Sequence, residues 1–339
     1  MKNPLFKIRE SGKYGFINAT GEVVIEPQYV DAEAFYNNFS RVRFNDKLVP
    51  LDHMGRLLMK HLFNYVGYFE EGLAKAQLVK RWGYIDHRGS LAVDVQFDEA
   101  GDFKNGLAPV SAEGRWGYIR TDGTFAMTPQ FDAAQEFRDD LAAVAINGQY
   151  GFINRHGEVV IEPQFSSADS FQNGVAVIRS DDQWGLIDRE GKVLQSPRFD
   201  IVEGYSEGDF FDGMALVRCK DRYGFVNDHG EIVIEPQYDF AGDFGEQLAL
   251  VEIDGKFGYL NPTGQLTIPA TFDDAGVFSD GLAQVCVDGK WGFIHTDGSV
   301  AIAPQFVKVL PFKNGLAWVT TGQRWAYVDR FGEVIWREK

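Results

Sequence analysis

The stretch Leu282-Ala283-Gln284-Val285-Cys286-Val287-Asp288-Gly289-Lys290-Trp291-Gly292-Phe293-Ile294-His295-Thr296-Asp297-Gly298-Ser299-Val300-Ala301-Ile302 reads as three short strands joined by two turns. Leu282 to Val287 is a β-rich run. Asp288-Gly289 is the strongest two-residue hairpin signal, because both central positions of that turn need positive φ. Lys290 to Ile294 forms the second strand. A turn closing on Gly298 leads to the third, Ser299 to Ile302. The stretch therefore predicts a three-stranded antiparallel meander.

The same pattern recurs along the whole chain. Aromatic-Gly pairs stand at Tyr14-Gly15, Trp82-Gly83, Trp116-Gly117, Tyr150-Gly151, Trp184-Gly185, Tyr223-Gly224, Phe257-Gly258 and Trp291-Gly292. Their spacing is 34 residues or its multiple, except for 39 between Trp184 and Tyr223. Lys47-Leu48-Val49 and Trp325-Ala326 keep the register in eroded form. A fixed period of this length means one supersecondary unit built many times. Units are expected at about 5–35, 39–69, 73–103, 107–137, 141–171, 175–210, 214–244, 248–278, 282–312 and 316–339, forming one array over 1–339. The expected fold is all-β, with ten such meanders stacked as an open superhelical solenoid. The array starts on strand one of its first unit and ends on strand three of its last, which favours the open form. The alternative is a closed ten-bladed, propeller-like ring with the connector as a short fourth strand.

Two features invite specific expectations. The glycine after each aromatic weakens a strand, so it marks close approach of the ring or of a neighbouring unit. After the third strand comes Glu-Pro-Gln, as at Glu26-Pro27-Gln28 and Glu162-Pro163-Gln164, where proline is expected to end the strand. The connector then repeats aromatic-x-x-small-x-x-aromatic, as in Phe97, Ala100, Phe103 and Phe131, Ala134, Phe137. This spacing suits one tight turn with three anchors packed beneath the next meander.

Lys plus Arg number 33 and Asp plus Glu 49, a net charge of −16. Nucleic acid and anionic membrane surfaces are disfavoured partners, because both need basic surface. A basic protein partner is permitted, since charge asymmetry steers encounter. Cys219 and Cys286 fall on opposite strand faces, so no disulfide is expected and a reducing compartment fits. The first residues carry no apolar leader pattern, and no run approaches membrane-spanning length. A cytoplasmic monomer is the expectation.

These residues resemble the WG-repeat family, also called KWG repeats. The shared pattern is G-[KRQ]-[WYF]-G-[FYL]-I-[DN]-x-x-G-x-x-x-I-x-P-x-[FY]-[DS]-x-A-x-x-F-x-[ND]-G-L-A-x-V, matched closely by the units around Tyr150 and Trp291. The resemblance implies an all-β repeat array from a bacterium or related source that serves as a binding scaffold. It carries no catalytic residues over. Two places depart from the pattern. The second unit has Lys47-Leu48-Val49-Pro50 and His61-Leu62-Phe63, and Pro50 predicts an edge or break there. The connector between Phe199 and Phe210 holds five extra residues, and such an insertion usually maps to a surface loop, often on the working face.

No P-loop, nucleotide fingerprint, G-x-S-x-G or H-E-x-x-H stands in the sequence. His53, His87, His156, His229 and His295 lie in or beside the second turn and read as solvent-exposed turn residues, and no metal or cofactor is expected. The residue before the aromatic is basic in eight of ten units, including Lys13, Arg81, Arg115, Arg222, Lys256, Lys290 and Arg324. This ladder is expected to be structural, paired with connector acids such as Asp102, Glu136 and Asp243. The candidate partner-binding residues are Glu203, Tyr205, Glu207, Asp209 and Phe211 in the insertion, with His61 in the eroded unit. The leading function is a non-enzymatic protein-interaction scaffold, with a basic toxin or effector as one candidate partner. The alternatives are a carbohydrate-binding repeat protein using exposed aromatics, which come down to stray rings such as Tyr36, Tyr68, Trp318 and Trp336 if the WG aromatics are buried, and an enzyme with its site at the irregular units.

Overall fold

The computed structural model describes residues 4–58, 63–180, 182–200, 209–322 and 324–338. Among them every regular element is a strand, arranged in ten antiparallel sheets. The unit that begins at Leu107 shows the rule. Leu107–Ala112 pairs with Arg115–Arg120, which pairs with Phe125–Phe131. Glu99–Ala100, from the preceding connector, adds a two-residue strand on the other side of Leu107–Ala112. The meander is therefore four-stranded, where the leading reading of the sequence has three and only the ring-like alternative has the connector as a fourth. Eight of the ten sheets have this form. The connector does not make a single tight turn. It splits into the short strand and a second turn, because Gly101 N bonds to the Pro109 carbonyl and Lys104 N to the Leu107 carbonyl.

Proline does not end the third strand. Pro129 lies inside Phe125–Phe131, and Phe131 beyond it stands opposite Trp116. The strand tolerates the missing donor because it is the sheet's edge and is bulged there: Trp116 faces Phe131 while Tyr118 faces Met127. That bulge also explains the glycine after the aromatic. A Cβ on Gly117 would stand 2.5 Å from the Met127 carbonyl oxygen and 2.8 Å from Pro129 N. The close neighbour is the unit's own third strand, where the sequence pointed to the ring or the next unit.

The chain divides into two compact units, one of Met1–Asn18, Glu22–Asp181 and Asp188–Lys192, the other of Ala19–Gly21, Asp182–Ile187 and Val193–Lys339. In the first, Tyr118, Met127 and Phe131 of one sheet, with Phe137 of the connector, share a core with Ala142, Val144 and Ile153 of the next. Burial of this shared apolar surface is what holds neighbouring sheets together. In the second, Tyr259, Ile268 and Phe278 meet Ala283, Val285 and Ile294 in the same way. The tyrosine hydroxyls in these cores are satisfied: Tyr118 Oη donates to the Gln135 carbonyl at 2.8 Å and Tyr259 Oη to the Gly276 carbonyl at 2.7 Å. Burial pushes both phenols well above their ordinary value.

The turn between second and third strands completes each junction. Asn154 Oδ1 accepts the His156 and Glu158 amides, an Asx turn that sets Gly157 at φ 83°. Gly157 then rests on Met127 of the preceding sheet, with 3.4 Å from its would-be Cβ to the Met127 side chain. In the second unit Gly332 rests on Ile302 likewise, and Gly21 lies against Ile335, whose carbonyl oxygen is 2.5 Å from the would-be Cβ.

Candidate interaction surface

The basic ladder is paired, though not with the acids the sequence suggested. Arg81 meets Asp98, Arg115 meets Asp132, Arg222 meets Asp239, and Lys256 meets Asp273 at 2.5 Å. Each partner lies 17 residues on, directly after the aromatic that ends the third strand. The second carboxylate oxygen reaches forward. Asp98 Oδ2 accepts the Glu113 amide at 2.8 Å, Asp132 Oδ2 the Gly148 amide at 2.9 Å, and Asp273 Oδ2 the Asp288 amide at 2.7 Å. One aspartate thus ties its own unit's cation to the first turn of the next unit. Lys13, Lys290 and Arg324 make no ion pair among the described residues. Positions 30 and 307 are valines, so for Lys13 and Lys290 the aspartate is missing from the sequence itself. The proposed acids do other work: Asp102 accepts Lys75 at 3.1 Å, Glu136 accepts the Asp102 amide, and burial next to Asp209 raises the Asp243 carboxyl.

The eroded second unit holds a polar cluster that sequence reasoning missed. Arg41 donates through Nε and Nη2 to both oxygens of Glu33, at 2.6 and 2.8 Å. Its Nη1 donates to Tyr65 Oη at 2.9 Å, and its guanidinium stands 4.3 Å from the Tyr68 ring centre. Tyr68 Oη closes the loop by donating to Glu33 Oε2 at 2.7 Å. Burial alone would raise the Glu33 carboxyl, but the bonds from Arg41 and Tyr68 outweigh it and hold it below its ordinary value. The signal was legible in principle: Arg41 occupies the strand position held by Pro109 and Ala143 elsewhere. The Pro50 strand pairs with Phe39–Phe44 in a two-stranded sheet, joined on its far side by a single bridge from Leu51 to Leu57.

A cleft of about 250 Å³ is built from the connector turns of four successive repeats. Glu71, Asn105, Asp139 and Asn173 sit at equivalent turn positions with φ between 48 and 53°. Their side chains bond along the row. Glu71 Oε2 accepts the Gly106 amide at 2.7 Å, Asn105 Nδ2 donates to the Phe137 carbonyl at 3.3 Å, and Asp139 Oδ2 accepts the Gly174 amide at 2.8 Å. Arg155 and Arg189 reach in from the second turns to the carbonyls of Asn105 and Asp139, at 2.6 and 2.7 Å. Lys104, Arg138 and Gln172 also line it, and Phe137 and Phe171 lie fully buried at its edge. Lys104 bonds to Glu70 at 3.0 Å, and Glu70 also accepts from the exposed Tyr36 hydroxyl at 3.3 Å.

In the insertion, Phe211 is exposed and Asp209 half-buried, whereas Glu203, Tyr205, Glu207 and His61 lie outside the described residues. The WG aromatics are mostly half-buried, and Trp184 is only 1% exposed, with its indole N–H bonded to the Asp200 carbonyl. Of the turn histidines, His53 is half-buried and packs on Phe35 at 4.5 Å, while His87 is exposed with one face stacked on Phe39. No group of residues suited to hold a metal ion is found among the described residues.

Among solved structures the chain is similar to a eukaryotic initiation factor, at 11% identity and a TM-score of 0.57, covering 100% of this chain and 96% of that one. It is also similar to Kluyveromyces lactis Hsv2, at 12% identity and a TM-score of 0.41 over 67% of this chain and 92% of that one. A third likeness is to BamB from Moraxella catarrhalis, at 11% identity and a TM-score of 0.35 over 92% and 97%. At such identity the likeness to the initiation factor concerns the fold alone. No curated protein sequence matches the chain. The WG containing repeat matches at 14–47, 82–116, 116–150, 150–184, 184–223, 223–257, 257–291 and 291–325. With aromatic, glycine, bulged third strand and forward-reaching aspartate recurring at that spacing, the chain belongs to the family of WG containing repeat proteins.

Proposed function

We propose that the protein is a non-enzymatic interaction scaffold whose partner is a basic protein, a toxin or effector among the candidates. The observation that carries this reading is where the charge goes. Four ladder cations are paired with Asp98, Asp132, Asp239 and Asp273, so they offset acids locally and do not form a free basic stripe on a chain of net charge −16. An acidic surface of this kind accelerates encounter with a basic partner and rejects polyanions. The working setting is cytoplasmic and the protein acts as a monomer. Affinity capture from native lysate tests the proposal. A recurring partner of high isoelectric point, released as salt rises, is expected; repeated recovery of the protein alone, or of an acidic partner, would overturn it. The carbohydrate reading rests on Tyr36, the exposed ring beside Glu70. Glycan-array binding that vanishes in Tyr36→Ala would replace the protein-partner reading.

A further inference from the structure

We propose that the cleft beside Phe137 and Phe171 binds a carboxylate group, with Arg138 as its charge partner; this goes beyond the scaffold reading and does not depend on it. The cleft's two acids are already engaged, Glu71 with the Gly106 amide and Asp139 with the Gly174 amide. Its lysine is engaged too, with Glu70. Arg138 differs. Its guanidinium makes no ion pair or side-chain hydrogen bond among the described residues, although the chain carries 49 acids to 33 Lys and Arg. The Gln172 and Asn173 amides beside it are likewise uncommitted among the described residues.

A planar guanidinium with two amide groups nearby matches a planar carboxylate, which takes two parallel N–H bonds from Arg and further bonds from amide donors. The acids nearby favour a monoanion, because a phosphate dianion would meet the fields of Glu71 and Asp139 at close range. The size points the same way. At about 250 Å³ the cleft is smaller than the pockets that enclose drug-sized ligands, so it suits a side chain or a chain end. The turn carbonyls of Asn105 and Asp139, at the cleft, are tied to the second turns by Arg155 and Arg189.

The carboxylate could come from an acidic side chain or from a peptide C-terminus, and one titration separates the two. The full chain, labelled with ¹⁵N, is titrated with N-acetyl-glutamate amide, N-acetyl-glutamine amide and N-acetyl-alanyl-alanine bearing a free C-terminus. Binding of either carboxylate is expected to shift the amides of Asn105, Asp139 and Asn173, and whichever binds more tightly identifies the source. The neutral glutamine probe is expected to bind at least tenfold more weakly. Arg138→Gln should abolish the difference while leaving strand resonances in place, and Arg138→Lys, which keeps charge but loses the fork, should fall between. Equal shifts from the glutamate and glutamine probes, shifts confined to other turns, or unchanged binding by Arg138→Gln would each overturn the proposal.

Discussion

Gly117 and Met127 are in backbone contact: a Cβ added to Gly117 would lie 2.5 Å from the Met127 carbonyl oxygen. Real Cβ atoms do not come so close to backbone, and the obstacle is a bulged strand fixed on both sides of Pro129. Gly117→Ala must therefore push the third strand off its pairing with Trp116. The expected loss is about 1–3 kcal/mol, the usual range for overpacking a site that cannot yield. Chemical denaturation of the variant beside Gly114→Ala checks it. Gly114 has open space around its would-be Cβ, so its cost comes from its φ of 76° instead. A loss at Gly117 that disappears when Met127 is trimmed to Ala would point to side-chain crowding and contradict the backbone explanation.

Val79 and Lys80 take the left-handed turn conformation, at φ 54° and 86°, that Asn147 and Gly148 take in a later unit. A β-branched residue pays for this region, where asparagine and glycine enter at little cost. Val79 is also 78% exposed, so its side chain contributes little burial in return. Val79→Asn is expected to stabilise the protein by about 1 kcal/mol, since Asn64 Oδ1 would still accept the residue 79 amide, now at 2.9 Å. Thermal denaturation reads the change. A lower melting temperature would mean that the valine is held by contacts beyond its turn.

The meander was legible in Asp288-Gly289 and the glycine of the second turn because turn chemistry is local. The fourth strand was legible only as part of the ring-like alternative, because Glu99–Ala100 is only two residues long and carries no alternation to detect. Pro129 misled for a related reason. Proline excludes a ladder donor, but an edge strand has spare positions, and which strand is the edge depends on pairing that sequence spacing does not state. The basic ladder was visible, yet its partners were sought among nearby connector acids. The informative signal was the absence of Asp at positions 30 and 307, where the ladder also fails to pair. The cluster around Arg41 was hidden because its members come from Glu33, Tyr65 and Tyr68, and only the fold brings them together.

Arg41 has a side chain only 12% exposed, locked to both oxygens of Glu33. Removing it leaves Glu33 half-buried with the Tyr68 hydroxyl alone. Arg41→Met is expected to cost on the order of 3 kcal/mol, as for other buried pairs that lose one partner. Lysine restores charge but not the fork that reaches Glu33 and Tyr65 together, so Arg41→Lys should recover less than half of the loss. The double variant Arg41→Met with Glu33→Gln is expected to be more stable than Arg41→Met alone, because it removes the stranded charge. Urea denaturation of the three variants measures this. Full rescue by lysine would show that charge alone, without geometry, holds the cluster.

Asp273 shares its carboxylate between Lys256 Nζ at 2.5 Å and the Asp288 amide at 2.7 Å. The hydrogen bond from Lys256, then that from the amide, lowers the Asp273 carboxyl below its ordinary 3.8, and the same ion pair raises Lys256 above 10.5. The sign of the pH effect follows for each group. A carboxyl lowered in the folded state adds stability that is complete above 3.8 and is lost as pH falls through the lowered value. An ammonium raised in the folded state adds stability that is complete below 10.5 and is lost as pH rises through the raised value. Asp273→Asn keeps an oxygen for the Asp288 amide and removes only the charge. Its deficit against the parent should therefore be present at pH 7, fade in acid below 3.8, fade again in alkali above 10.5, and shrink in 1 M salt, where the Debye length falls to about 3 Å. Asp273→Ala removes the amide acceptor as well, so part of its deficit should survive both salt and acid. Melting temperatures of the three proteins across pH and salt decide between the two contributions. A deficit in Asp273→Asn that ignores both variables would show that the aspartate acts through its amide bond and not through Lys256.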